Sequence, residues 1–244
     1  MTYILDGKII LVVGGGSGIG AATADLCAQR GATVVVADVD EDAGRAVATR
    51  CRGLFIPVNV TDENSVKAMA QRIDERFGKL NVLLQTAAVL KGAFVPLEEF
   101  SLETFRTVLD INTTGSFLCA KYAAPLMKKA GGGVIVLVSS GAATGGSSSF
   151  AYGTSKGGVN SLGIVLANAL APEHIRVNVV APGNIDTGMK RSVIAADVAR
   201  QGKEAEFEQA IAESNLGKPE GVAQVLAWLA SDEADYVRGL IATR

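Results

Sequence analysis

One histidine, three cysteines and one tryptophan in 244 residues remove several chemistries at the outset. A zinc site draws on three or four His, Cys or carboxylate ligands. Neither His174 nor Cys27, Cys51 or Cys119 has another His or Cys within metal-motif spacing, so no metal site is expected. Zinc-dependent hydride transfer and histidine-based acid/base catalysis are poor readings of this chain. The cysteines are odd in number and far apart, which predicts reduced thiols packed in cores rather than a disulfide framework. His174, in Pro172-Glu-His-Ile175, reads as a loop residue just ahead of a strand.

A strong charge of either sign is also missing. Lys and Arg number 23 against 25 Asp and Glu, with no run of five like charges, so no field steers nucleic acid or an anionic membrane toward the protein. No apolar run reaches the roughly 18 residues of a spanning helix. The opening MTYILDGK places a carboxylate and a lysine where a signal peptide carries an apolar core. A cytoplasmic protein is expected. Apolar residues are abundant, 48% against 20% charged with a mean hydropathy of +0.29, which predicts a surface partly covered by further copies of the chain.

What is present is an alternation. Lys8–Val13 is short, β-branched and unalternating, as in a strand buried on both faces of a parallel sheet. The turn Gly14-Gly-Gly-Ser17-Gly18-Ile19-Gly20 follows, then a helical pattern from Ala21 to Arg30, Gly31, and a second strand, Thr33–Ala37, ending at Asp38. This completes a βαβ unit. The pattern continues with a helix at about Glu41–Arg50, a strand at Leu54–Val58, a helix at about Glu63–Phe77 closed by Gly78, and a strand at Asn81–Gln85. A long helix, roughly Ser101–Lys129, leads to a strand at Val134–Val138, the small-residue loop Ser139–Ser149, and a helix at Phe150–Leu170. Last come a strand at Ile175–Val180, Pro182-Gly183, a charged helical insertion at about 188–215 expected to act as a mobile lid, a helix at about Glu220–Leu229 and a terminal run at Leu240–Ala242. With no linker or composition break, the expected fold over 1–244 is one α/β domain. It is a doubly wound parallel Rossmann-type sheet of about seven strands with helices on both faces. In such sheets ligands bind outside the carboxyl ends of the strands.

The glycine turn lets a pyrophosphate approach exposed N–H groups at a helix N-terminus. Asp38, 18 residues beyond Gly20, is placed to accept hydrogen bonds from ribose hydroxyls, and Asp40 is the better helix cap. A 2′-phosphate about 4 Å from Asp38 costs on the order of 4 kcal/mol at an effective dielectric of ~20, and Val39 offers no compensating charge. NAD(H) is therefore expected over NADP(H).

Tyr152 and Lys156, four apart, share one face if the segment is helical. Alone such a pair is commonly a surface feature. Here Ser140 ends the fifth strand, and Asn112 lies in the helix before it. A phenol acting as base near pH 7 needs its pKa lowered by about three units, or ~4 kcal/mol. One ammonium about 4 Å away at dielectric ~20 supplies that order of energy. In this scheme Tyr152 exchanges a proton, Lys156 lowers the phenol's pKa and holds a ribose, Ser140 bonds the substrate oxygen and Asn112 holds a relay water.

On Gly14-x-x-x-Gly18-x-Gly20, Asp38, Asn112, Ser139-Ser140, Tyr152-x-x-x-Lys156 and Pro182-Gly183 followed by Thr187, the chain resembles the short-chain dehydrogenase/reductase family over essentially its whole length. The resemblance implies an oxidoreductase acting between a secondary alcohol and a ketone, with the tetrad Asn112, Ser140, Tyr152 and Lys156. It further implies cofactor contacts at Ile19 for the pyrophosphate, at Asn59 and Val60 for the adenine, and at Ile185 with Thr187 for the nicotinamide carboxamide. A homotetramer, less often a homodimer, is implied, packed through the helices at Ser101–Lys129 and Phe150–Leu170.

Several positions depart from the family pattern. Val13 stands for the usual threonine, and Gln85-Thr86-Ala87-Ala88 for an Asn-Asn-Ala-Gly segment. These two segments touch in the family, so a repacked contact is expected, with Ala88 narrowing the approach to the cofactor ribose. Asn59 replaces an aspartate. Ser140 lies one residue closer to Tyr152 than is usual, which keeps Ser139 as an alternative. The substrate wall is read as Val89, Leu90, Phe94, Ala142, Phe150 and Met189, with Lys190 and Arg191 more naturally exposed. A non-catalytic redox-sensing dinucleotide binder and a lyase or epimerase on the same fold remain as alternative functions.

Overall fold

The computed structural model describes residues 4–243; Met1–Tyr3 and Arg244, on which the reading of the two chain ends partly rests, lie outside the described residues. The β-branched runs form seven strands: β1 Ile9–Val13, β2 Thr33–Asp38, β3 Leu54–Pro57, β4 Val82–Gln85, β5 Gly133–Val138, β6 Ile175–Ala181 and β7 Gly239–Ala242. All neighbours are parallel, in the order β3-β2-β1-β4-β5-β6-β7. The order reverses between β1 and β4, so the loops leaving those strands diverge and open a crevice.

The strands do not alternate polar with apolar because both faces are covered. Leu11, Leu83, Ile135 and Val177 meet α3 (Glu63–Phe77), α5 (Gly115–Lys129) and α6 (Phe150–Leu170). Ile10, Leu84, Val136 and Val180 meet α1 (Gly18–Gln29), α2 (Glu41–Arg50) and α9 (Pro219–Ala230). Among the described residues no helix is long and apolar enough to cross a membrane.

Two elements differ from the sequence expectation, and a third is resolved in more detail. The first helix begins at Gly18, inside the glycine turn, so its free N–H groups face the crevice directly. The long helix is broken into α4 (Leu102–Leu109), a π turn at Asp110–Thr114, and α5. Within the turn, Asn112 is held by Val89 through its side chain, and its carbonyl accepts from Ser116 Oγ at 2.6 Å. Gly115 sits where a Cβ would come within 2.8 Å of Val60. The expected helical insertion after β6 consists of α7 (Gly188–Arg200), a 3₁₀ turn at Glu204–Glu206, and α8 (Phe207–Glu213). Its two ends meet in a parallel bridge between Ile185 and Gly217, with Asp186 N donating to Gly217 O and Gly217 N to Asn184 O, both at 2.8 Å.

Candidate active site

The carboxyl ends of β1, β2, β4, β5 and β6 frame a cavity of about 940 Å³. Its nucleotide end is built from backbone. Gly14, at φ +77°, passes so close to the β4 loop that a Cβ would lie 2.5 Å from Ala87 N; at Gly20 it would lie 2.0 Å from Gly14 O. Only glycine fits either place. The Thr86 hydroxyl donates to Val13 O (2.7 Å) and Gly14 O (3.1 Å), which is the repacked contact expected from the Val13 and Thr86 departures. Asp38 accepts from Gly16 N at 2.7 Å and from Asp40 N at 3.1 Å, so its carboxylate fixes the turn as well as lining the cavity. Asp40 caps α2 by accepting from Ala43 N.

Ser149 caps α6 by accepting from Tyr152 N (3.3 Å) and donates its hydroxyl to Lys91 O (2.7 Å), tying the start of α6 to the loop after β4. Tyr152 and Lys156 follow one turn apart, both buried. The Lys156 ammonium donates to Val138 O at 2.8 Å and lies 5.7 Å from the centre of the Tyr152 ring. Of the two serines, Ser140 lies near enough to the phenol to draw its pKa down and accepts from Ala142 N at 3.2 Å, whereas Ser139 spends its hydroxyl on Lys156 O at 3.0 Å.

The electrostatics of this pair run opposite to the simple expectation. Burial raises the Tyr152 phenol above its ordinary pKa, and the Ser140 hydrogen bond opposes this only in part. Burial also lowers Lys156 to about 7. Desolvation, which disfavours whichever form is charged, is the main cause of both shifts.

Gly14, Ser17, Gly18, Ile19, Gly20, Asp38, Asn59, Val60, Ala87, Ser140, Tyr152, Lys156, Pro182, Gly183, Ile185 and Thr187 all line the cavity. Asn59 accepts there from Thr61 N and Oγ1. Asn112 does not line it. Its amide is consumed by Val89 N (2.8 Å), Val89 O (2.9 Å) and Ser155 Oγ (2.9 Å), so its side chain clamps the β4 loop onto α6. Ser155, which completes the clamp by donating to Tyr152 O at 2.8 Å, was not singled out by sequence, although it lies within the Tyr152–Lys156 segment.

The substrate end is assembled from side chains. Val89, Leu90, Ala142, Met189 and Lys190 line it, joined by Val193. Phe94 and Phe150, assigned to this wall from sequence, face elsewhere, and of the two cations expected to be exposed, Arg191 stays outside the cavity whereas Lys190 is half-buried and lines it. Phe150 packs edge-on against Phe100 with centroids 5.6 Å apart. Phe94, at φ +62°, donates its N–H to Ser148 O (2.7 Å) and lies beneath the Arg200 guanidinium of α7 at 4.5 Å. Arg191 makes a two-pronged ion pair with Asp186 at 2.7 and 2.9 Å. Thr187 connects the two ends of the cavity. Its Cγ2 would lie 3.2 Å from a Cβ at Gly18, and its hydroxyl caps α7 by accepting from Lys190 N at 3.3 Å.

A glycine cradle that a Cβ would fill, a carboxylate at the end of β2, and a buried ammonium with one protein acceptor match the needs of a dinucleotide: close backbone approach, ribose hydroxyl acceptors and a ribose donor. Comparison with known proteins agrees with this chemistry. A family model described as Enoyl-(Acyl carrier protein) reductase matches residues 14–243. The chain is 41% identical over 243 residues to cis-4-hydroxycyclohexanecarboxylate dehydrogenase of Sinomonas cyclohexanicum, covering 96% of this chain and 93% of the relative. It is 36% identical over 239 residues to 2,5-dichloro-2,5-cyclohexadiene-1,4-diol dehydrogenase of Sphingobium indicum, covering 96% and 94%. Among solved structures, 7α-hydroxysteroid dehydrogenase complexed with NADH and 7-oxo glycochenodeoxycholic acid superposes with a TM-score of 0.85 at 29% identity, covering 99% of this chain and 94% of that one.

Proposed function

The chain belongs to the short-chain dehydrogenase/reductase family, and from that premise we propose that it interconverts a cyclic secondary alcohol and its ketone with NAD(H), Tyr152 exchanging the hydroxyl proton. The observation that carries this reading is the meeting of Ser140, Tyr152 and Lys156 in one cavity with the Gly14–Gly20 turn. The cyclic character of the substrate is drawn from the two dehydrogenases just compared, which act on ring alcohols by name.

When bound, the nicotinamide supplies the acceptor or donor of hydride. The chain's residues do the rest. Ser140, beside the phenol in the same cavity, is placed to hold the alcohol oxygen. Tyr152 takes the hydroxyl proton in oxidation and returns it in reduction. Since burial raises this phenol, its ionisation depends on positive charge, which Lys156 supplies when protonated. Lys156 has one protein acceptor, Val138 O, and its remaining N–H groups serve the cofactor's ribose. Asp38 accepts from the adenosine ribose and repels a 2′-phosphate. Asn112 holds the β4 loop against α6 and so sets the width of the site.

The same reading includes a homo-oligomer. Phe117, Ile164 and Val165, on α5 and α6, are 45%, 59% and 60% exposed, more apolar surface than an isolated helix pair leaves to water. Ile164→Glu is expected to yield smaller particles by sedimentation. The central test is NADH absorbance with cyclohexanols and other ring alcohols, repeated with NADP. Equal kcat/KM with the two cofactors would remove the NAD assignment, and absence of any alcohol oxidation would remove the dehydrogenase assignment.

A further inference from the structure

The two cations that open α7 have different fates. Arg191 points away from the cavity and is neutralised by Asp186. Lys190 is half-buried and lines the cavity with Met189 and Val193, its neighbours on the same helix face. Among the described residues no carboxylate lies within ion-pair distance of its ammonium, although Arg191, Arg200 and Lys203 of the same segment each have one.

No ion pair among the described residues favours a positive charge at this point. Lys190 is the third residue of a helix capped at Thr187, so its charge lies beside the positive end of the helix dipole, where cations are disfavoured and anions favoured. The other charged residues lining the cavity do not answer it. Asp38 is at the nucleotide end, held by the Gly16 and Asp40 amides. Asp110 is exposed at the π turn. Lys156 is buried and bonded to Val138 O. The substrate end therefore combines an apolar wall, Val89, Leu90, Ala142, Met189 and Val193, with one unneutralised cation and the first turn of a helix.

We propose that Lys190 binds a carboxylate on the substrate, so that the substrate is a hydroxy acid whose hydroxyl and carboxylate lie at opposite ends of an alicyclic body. This rests on the dehydrogenase reading above, with Tyr152 and Ser140 holding the carbinol oxygen. Lys190 is a specificity residue, for it touches neither the carbinol carbon nor the proton being moved. A charge-assisted hydrogen bond of this kind is worth about 10- to 100-fold.

The test compares hydroxycyclohexanecarboxylates with their carboxamides, in wild type, Lys190→Met and Lys190→Arg. Wild type is expected to prefer the acid over the amide by about 10- to 100-fold in kcat/KM. Lys190→Met is expected to remove that preference by lowering kcat/KM for the acid at least tenfold more than for the amide, with the NAD dissociation constant and the melting temperature unchanged. Lys190→Arg restores part of the preference. A second measurement needs no turnover. Cyclohexanecarboxylate, which has no hydroxyl to oxidise, should bind wild type in the presence of NAD and bind Lys190→Met at least tenfold more weakly. Equal loss for acid and amide, or weakened NAD binding in Lys190→Met, would overturn the proposal and assign Lys190 to the cofactor or the fold. Retained binding of cyclohexanecarboxylate without oxidation of any ring alcohol would overturn the dehydrogenase reading while leaving the anion site standing.

Discussion

The two ends of the cavity are made from different materials. The nucleotide end is backbone held by backbone: Gly14 and Gly15 N–H groups donate to Ala37 O, Thr86 and Ala87 N–H groups to Val13 O, and Asp38 closes the turn. The substrate end is side chains on connections, tied by few bonds: Ser149 to Lys91, Phe94 to Ser148 and to Arg200, and the bridge at Ile185 and Gly217. Backbone geometry tolerates few replacements, whereas an apolar wall accepts any residue of suitable volume. A fold can therefore keep one cofactor while its substrate changes.

That contrast can be broken experimentally, and the largest effect is expected where the two ends meet. Tyr152→Phe should lower kcat by about 10²- to 10⁴-fold and leave the NAD dissociation constant within a few-fold; a matching loss of NAD binding would mean that the two ends act as one. In wild type, kcat/KM for alcohol oxidation should rise with pH, because the base form is required. That rising limb should vanish in the variant.

Lys156→Met tests the cost of placing a charge between the ends. The folded-state pKa of about 7 lies below lysine's ordinary 10.5, so between these values the unfolded chain binds the extra proton and stability rises with pH. The penalty, on the order of 5 kcal/mol when complete, is fully present below about pH 7. Denaturation of the cofactor-free protein from pH 7 to 10 should show this rise, and the variant should be flatter.

Smaller effects isolate each end. Asp38→Ala should shift the NAD:NADP preference by about 10- to 100-fold toward NADP, the value of a charged hydrogen-bond acceptor, without altering KM for the alcohol. Arg200→Gln removes the cation above Phe94 and should raise KM for the alcohol by about two- to fivefold, with NAD affinity unchanged in a titration.

Legibility in the sequence follows the same division. The glycine turn, Asp38 and the Tyr152–Lys156 pair were readable because each depends on a local spacing next to a recognisable strand. The π turn at Asn112 was not, since one extra residue inside an apolar helix leaves the pattern on both sides intact. Phe150 was assigned to the substrate wall because aromatic residues near a site suggest a pocket; its partner, Phe100, is 50 residues away in sequence. Arg191 has its partner five residues upstream, and that pairing was visible in principle. The balance of burial against charge at Tyr152 cannot be read from spacing at all, because it depends on how completely β5 and α6 exclude water.

Thr187 holds its methyl group 3.2 Å from where a Cβ at Gly18 would stand and starts α7 with its hydroxyl. In kinetic terms, a residue shared in this way makes the two encounters sequential. A dinucleotide bound at the Gly14–Gly20 turn would lie beside Thr187 and would complete the wall that Met189, Lys190 and Val193 of the already formed α7 present, so that the alcohol would meet a finished wall only after the nucleotide had arrived. Steady-state patterns should show compulsory order, with the nucleotide first on and last off, and the alcohol's apparent affinity should fall as the nucleotide is depleted.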